Sequence, residues 1–166
     1  MTGLVSPLLR PLVAGLLDAR KTAAESPSVP GHRYWRITVQ ATGYSVYVSG
    51  AKIEFAAAVG GPDECTGGTA IGGGYMFNIP EAFDNNPNTA FSGRRDDGYI
   101  GYDFARDVAV VSMRFTSAVS DFGGGPPASP ESFQVEYSDD NSSWTVAASF
   151  SGQTGWGYGE TRTFNW

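Results

Sequence analysis

The stretch Ser132-Phe133-Gln134-Val135-Glu136-Tyr137 alternates polar and apolar side chains, and Asp139-Asp140-Asn141 follows it. Successive side chains of a β-strand point to opposite faces, so this alternation is typical of a strand with one buried face. The Asp-Asp-Asn cluster is rich in turn formers and predicts a hairpin turn. We therefore expect an antiparallel strand pair here, with Phe133 and Tyr137 on its core side.

The same combination of strand-forming stretches and turn clusters continues along most of the 166-residue chain. Further strand-like stretches are residues 34–39, 44–48, 51–55, 99–104, 108–116, 143–150 and 160–166. Turn clusters occupy residues 60–63, 72–74, 84–88 and 123–127. Frequent short strands without a helical period predict an all-β fold, a β-sandwich or jelly roll. Aromatic residues such as Phe91, Tyr102, Phe104 and Trp144 are expected in its core.

The first 31 residues differ in composition from the rest. All six leucines precede residue 18, and residues 26–31 form a Ser/Pro/Gly cluster that breaks regular structure. We therefore predict an N-terminal arm and linker over residues 1–31, and one β-sandwich domain over residues 32–166.

The arm carries apolar pairs at intervals of four residues, which places them on one helical face. Pro11 suits the first turn of a helix, so a short helix is predicted over residues 11–24. The predicted docking side chains are Leu8, Leu9, Leu12, Val13, Leu16 and Leu17. Three roles stay open at this point: packing on the chain's own domain, docking into another subunit, or lying on a membrane surface.

Composition excludes several functional classes. The net charge of −6 and pI near 4.6 argue against nucleic-acid binding, which needs a basic face. No apolar run reaches the roughly 18 residues of a membrane span.

Catalytic patterns are also weak in the sequence. Acidic neighbours should raise the pKa of Cys65, the only cysteine, and His32 is the only histidine. Asp96 and Asp97 are adjacent, so in a strand they would face opposite sides and form no acid/base pair. We predict a protein that is not an enzyme.

Four stretches, residues 81–92, 98–104, 111–116 and 131–145, resemble in order the blocks of the discoidin, or coagulation-factor type C, family. The second is Gly98-Tyr99-Ile100-Gly101-Tyr102-Asp103-Phe104, which is similar to the family's W-I-G-Y-D-F-G strand. This resemblance covers residues 32–166 and implies a galactose-binding-like β-sandwich.

Residues 32–37 and 51–55 resemble the stretches that end the family pattern, but here they stand at the beginning of the domain. This arrangement is similar to that of discoidin-like domains in tailed-bacteriophage virion proteins. The resemblance implies a structural protein of the tail, baseplate or head, present in many copies and assembled in the bacterial host cytoplasm. Residues 1–30 would then contact other virion proteins, and the sandwich would bind host surface glycan. The alternative is a free-standing carbohydrate-binding module.

Residues 84–89 have the spacing of a cation-binding loop. Asp84, Asn86 and Thr89 lie at i, i+2 and i+5 in a turn-forming segment, and calcium prefers six to eight oxygen ligands. The resemblance implies that these side chains and the carbonyl of Glu81 hold a structural calcium ion. An Asx turn without an ion is the alternative.

Lys52 stands where the family has a glutamate that helps to close the calcium site. Its ammonium could pair with Asp84 and replace the metal. Glu54 or Glu160 could instead supply the missing carboxylate.

Several aromatic residues lie in Gly-rich loops, where a ring can cover the apolar face of a sugar while charged groups bind its hydroxyls. The aromatic residues in such loops are Tyr75, Phe77, Phe122, Trp156 and Tyr158. The predicted carbohydrate-binding residues are Arg94, Arg95, Asp97, Trp156 and Tyr158, with Asp96 beside them. Loop packing or contact with a neighbouring subunit is the alternative.

Overall fold

The computed structural model describes residues 30–44, 46–120 and 125–166, and they form an antiparallel β fold. Its strands are β1 (His32–Thr42), β2 (Tyr47–Gly50), β3 (Lys52–Ala56), β4 (Thr69–Gly73), β5 (Met76–Phe77), β6 (Phe91–Arg94), β7 (Tyr99–Val108), β8 (Ser112–Thr116), β9 (Pro130–Ser138), β10 (Thr145–Phe150) and β11 (Thr161–Asn165). Two short 3₁₀ helices, Ile79–Phe83 and Pro126–Ala128, lie between strands. The predicted all-β class is confirmed.

Three sheets build the sandwich. Five strands form one sheet in the order β10-β9-β1-β7-β4, and two three-stranded sheets have the orders β11-β8-β3 and β2-β6-β5. Every strand pair is antiparallel. Strand β1 lies in the middle of the large sheet, so its alternate side chains divide between the core and the outer face of that sheet.

The core lies between the large sheet and the β11-β8-β3 sheet. Phe133 of β9 meets Phe164 of β11 with ring centroids 4.8 Å apart, and Phe104 of β7 meets Phe55 of β3 at 6.3 Å. Trp35 is fully buried, and its indole N–H donates to the Val108 carbonyl. Aromatic rings with specific edge-to-face contacts thus fix how the two sheets pack.

The predicted hairpin turn at residues 139–141 is confirmed. It joins β9 to β10, and Asn141 adopts a left-handed backbone with φ of 57°. The Asp140 carboxylate accepts hydrogen bonds from the backbone N–H groups of Ser143 and Ser142, at 2.7 and 2.8 Å. These donors favour the charged form and hold the pKa of Asp140 well below its usual range.

The predicted turn cluster at residues 72–74 is wrong in part, because Gly72 and Gly73 belong to β4. A Cβ on Gly73 would lie 2.5 Å from the Tyr99 ring of the neighbouring strand, so a larger residue at this register would force that ring to move. Strands β5 and β6 were likewise not predicted, since β5 has only two residues and β6 is short and contains Gly93.

The expected single strand over residues 108–116 is also wrong. It is divided between the end of β7 at Val108 and the start of β8 at Ser112.

The N-terminal arm lies outside the described residues. This includes the predicted helix over residues 11–24, the docking side chains Leu8, Leu9, Leu12, Val13, Leu16 and Leu17, and also Phe122 further along the chain. In the described ranges, no helix is both long and apolar enough to span a bilayer.

Candidate functional site

A groove of about 590 Å³ lies on the outer face of the five-stranded sheet, and we call it the outer groove. Its lining comes from β1 and from the turn that leads into β7: Arg36, Thr38, Val39, Gln40, Arg95, Asp96, Asp97, Gly98 and Tyr99. The outward-facing positions 36, 38 and 40 of β1 form its floor, because the alternate residues Trp35 and Ile37 are buried in the core. Its volume falls within the range of small-molecule sites, about 300–1,000 Å³.

Arg36 is held rigidly beside this groove. Its Nε donates to Glu136 Oε2 at 2.6 Å, and its guanidinium lies 3.9 Å from the Trp144 ring centroid and 4.7 Å from that of Tyr99. Gly101 faces Arg36 on β7 and has no side chain to obstruct it. An arginine fixed between two rings and a carboxylate is a preorganised hydrogen-bond donor at the edge of the groove.

Trp144 was expected in the core, and the structure corrects this. Trp144 is only half-buried and packs on the outer face of the large sheet, against Arg36 and Tyr99. The other three aromatics of that prediction, Phe91, Tyr102 and Phe104, are buried in the core as expected.

The turn at residues 95–97 forms one wall of the outer groove and carries two of the predicted sugar-binding residues, Arg95 and Asp97. Arg95 Nε donates to Asp96 Oδ1 at 3.2 Å. The expectation that Asp96 and Asp97 face opposite sides is wrong, because they lie in a turn rather than a strand and both line the groove. The wall therefore offers hydrogen-bond donors and acceptors together.

Arg94 lies at a different surface from Arg95. It belongs to a shallow cavity of about 220 Å³ on the outer face of the β2-β6-β5 sheet, which we call the aromatic cradle. The cradle is lined by Tyr47, Tyr75, Phe77, Ser92, Gly93 and Arg94. The rings of Tyr47, Tyr75 and Phe77 are between 49% and 59% exposed. The sequence analysis noted Tyr75 and Phe77 but missed Tyr47.

Trp156 and Tyr158 join neither the outer groove nor the aromatic cradle. Trp156 packs edge-to-face on Phe115, donates its indole N–H to the Pro130 carbonyl at 3.1 Å, and is covered by the Arg162 guanidinium at 4.1 Å. Its ring is thus engaged within the fold rather than presented as a sugar platform. Tyr158 is exposed nearby in the chain.

The predicted calcium loop is closed by its own hydrogen bonds. Asp84 Oδ1 accepts the backbone N–H of Asn86 at 2.7 Å, and Asp84 Oδ2 accepts the Thr89 hydroxyl at 2.9 Å. The Glu81 carboxylate accepts the N–H of Ala90 at 3.1 Å. These are the bonds of an Asx turn, with Asn85 supplying the left-handed residue at φ of 58°.

The donor set fits calcium poorly. Across the described residues, no three His, Cys, Asp or Glu side chains come close enough together to hold a metal ion. Both carboxylate oxygens of Asp84 accept hydrogen bonds from within the loop, and few carboxylates surround them. This arrangement favours the Asx turn without an ion. We therefore predict the Asx turn without an ion, and the calcium titration in the Discussion tests this prediction.

Lys52 does not replace a metal at Asp84. Its Nζ lies 3.2 Å from Glu54 Oε1, because positions 52 and 54 share one face of β3. Glu54 in turn accepts two hydrogen bonds from Arg114, and Glu160 accepts one from Arg162. Both glutamates named as substitute ligands are therefore committed to arginines.

Cys65 and His32 lie away from both cavities. Cys65 is buried, and burial together with the nearby charge of Asp63 raises the pKa of its thiol. His32 stacks on Tyr137 with ring centroids 3.8 Å apart and bonds Asp139 through Nδ1 at 2.9 Å. Both contacts are part of the sandwich packing.

Comparison with protein-family models, with curated proteins and with solved structures found no match to this chain. The outer groove and the aromatic cradle are consequently interpreted from their own chemistry.

Most residues of the groove floor were not predicted from the sequence as site residues. The outward alternation of Arg36, Thr38 and Gln40 was present in the sequence and could have indicated a polar strand face. That this face adjoins the turn at residues 95–97 depends on the pairing of β1 with β7, which no local pattern reveals.

Proposed function

We propose that this chain is a non-enzymatic discoidin-like module that binds cell-surface glycan through the outer groove. The single observation that carries the proposal is the groove's composition. Fixed guanidinium groups, carboxylates, a hydroxyl and an amide converge beside the Tyr99 ring in a cavity of about 590 Å³. A neutral sugar presents both hydroxyl donors and acceptors around an apolar ring face, and this lining complements both.

The groove also suits binding rather than turnover. Its lining has carboxylates but no histidine, cysteine or serine among the described residues. Arg95 Nε lies 3.2 Å from Asp96 Oδ1, so one of these carboxylates is already paired with a neighbouring guanidinium. Weak single-site affinity would be raised by display in many copies.

A glycan array probed with a multivalent form of the full chain tests the groove. We expect binding to selected neutral oligosaccharides and its loss in Arg95→Ala and Asp97→Ala. Arg106→Ala is the matched control, because Arg106 is also exposed and paired with a carboxylate but lies outside the groove. Recovered oligosaccharides should be intact. Shortened products, or binding that survives both groove substitutions, would contradict the proposal.

We further propose that residues 1–30 anchor the module in a phage virion, in the tail, baseplate or head. The leucine-rich arm and the resemblance to phage discoidin-like domains support this placement. Deletion of residues 1–30 should abolish incorporation into particles while the sandwich keeps its thermal stability. Retained incorporation would favour the free-standing carbohydrate-binding module, and loss of the fold would show that the arm belongs to the domain.

A further inference from the structure

Arg94 differs in its partners from every other arginine and from the lysine in the described ranges. The described ranges contain seven arginines and one lysine. Six of the arginines and the lysine form ion pairs with Asp or Glu. Within the same ranges, Arg94 makes no ion pair, and its guanidinium lies over the Tyr75 ring, 5.7 Å from the centroid. In a protein with a net charge of −6, an arginine without a carboxylate is the exception.

The surroundings of Arg94 are apolar and open to solvent. Arg94 faces Tyr47 across the β2–β6 pair, and Phe77 faces Ser92 across the β5–β6 pair, so Tyr47 and Phe77 stand on the same sheet face as Arg94. The buried Phe91 and Met76 occupy the opposite face. Exposed rings gathered around one cation on a sheet face form a concave apolar surface with a single positive centre.

We infer that the aromatic cradle binds an acidic sugar residue, with its carboxylate on Arg94 and its ring against Tyr47, Tyr75 and Phe77. This inference rests on the proposed glycan-binding function and names the class of glycan. Charge complementarity favours an acidic ligand. In the described ranges, Lys52 and every arginine except Arg94 are paired with a carboxylate, so a ligand carboxylate would supply the partner that Arg94 lacks. Arginine binds carboxylates through two parallel N–H donors, and its planar group tolerates a neighbouring aromatic ring.

The size of the cradle supports a single sugar unit. Its volume of about 220 Å³ is below that of drug-sized sites and well below that of the outer groove. Arg94 and Arg95 are consecutive in the chain but line separate cavities. A glycan with both neutral and acidic residues would therefore find complementary sites at both surfaces.

The test compares uronic-acid oligosaccharides with their carboxyl-reduced neutral counterparts on one array, using the full chain. We expect the acidic form to bind about tenfold more tightly, which corresponds to one charge-assisted contact. Arg94→Gln should remove that difference, and Phe77→Ala should weaken the acidic probe. Arg106→Gln, which removes the same charge elsewhere, should leave the preference intact. Thermal unfolding confirms that each variant is folded.

The outcomes separate this inference from the function on which it rests. Equal binding of acidic and neutral probes overturns the acidic-sugar assignment and leaves the outer groove as the glycan site. No binding of either probe overturns both proposals. Tighter binding of a hexaglutamate peptide than of any uronic-acid probe also overturns the inference, in favour of an acidic protein segment.

Discussion

The guanidinium of Arg36 lies 3.9 Å from the centroid of the Trp144 ring, on the outer face of the five-stranded sheet. The two residues come from distant parts of the chain, and Glu136 fixes the same guanidinium from β9. This contact orders one edge of the outer groove without using the hydrophobic core.

Trp144→Ala should cost little stability, because Trp144 is half-buried on the sheet surface. We expect a loss of about 1 kcal/mol in the free energy of unfolding, the size of a partly exposed cation–π contact. Trp35→Ala is the comparison, since Trp35 is fully buried and should cost about 3–5 kcal/mol. Urea unfolding measures both, and equal losses would contradict the surface position of Trp144.

Gly101→Ala should disrupt the central strand pair. A Cβ at residue 101 would lie 2.2 Å from the Trp35 carbonyl oxygen, which is backbone and cannot move aside alone. Overpacking of this kind should lower the free energy of unfolding by about 3 kcal/mol. Gly157→Ala is the control, because its Cβ would meet only Glu160, at 3.6 Å, and should leave the midpoint of urea unfolding nearly unchanged.

Acid should weaken the cluster of Glu54, Arg114 and Lys52. Burial raises the pKa of Glu54, but the hydrogen bonds and charge of Arg114, helped by Lys52, outweigh burial and bring it below its ordinary 4.5. A folded-state pKa below the unfolded value contributes stability above pH 4.5, which is lost as the pH falls through the folded pKa.

Glu54→Gln tests this at pH 7 and at lower pH. The variant should be less stable than wild type at pH 7, and the difference should shrink as the pH falls from 4.5 through the lowered folded-state pKa, at which wild-type Glu54 also becomes protonated. Glu64→Gln should lose less stability at pH 7 than Glu54→Gln does, because Arg106, the partner of Glu64, is more exposed than Arg114. A Glu54→Gln deficit that stays constant down to pH 3 would contradict the assignment.

Calcium should not stabilise the Asp84 loop. Thermal unfolding of the wild type should occur at the same temperature with EDTA or with millimolar calcium, because the loop's hydrogen bonds already hold Asp84. Asp84→Ala should lower the free energy of unfolding by about 1 kcal/mol in either condition, which is the net contribution expected from these hydrogen bonds. A calcium-dependent rise in melting temperature that Asp84→Ala abolishes would instead support the metal site.

The sequence predicted the strands that alternate cleanly and missed those built around glycine. The β9–β10 hairpin follows from local pattern, since Phe133 alternates with polar neighbours and Asp140 caps the turn. Strand β4 was hidden because it ends in two glycines, and the Tyr99 ring that Gly73 accommodates belongs to another strand. Local sequence does not encode such a cross-strand constraint.

The candidate site was predictable only in part, for the same reason. Arg95 and Asp97 were predicted to bind sugar, and they do line a common groove. Arg36 and Tyr99 complete that groove through strand pairing between distant segments. Trp156 does lie in a loop, but its packing on Phe115 is a long-range contact that no local pattern reveals.

The most direct test of glycan binding is a residue-by-residue NMR titration of the full chain with a neutral oligosaccharide selected on the array. We predict that amide shifts concentrate at residues 36–40 and 95–99, which line the outer groove. Shifts confined to other surfaces, or none at saturating oligosaccharide, would contradict binding at this groove.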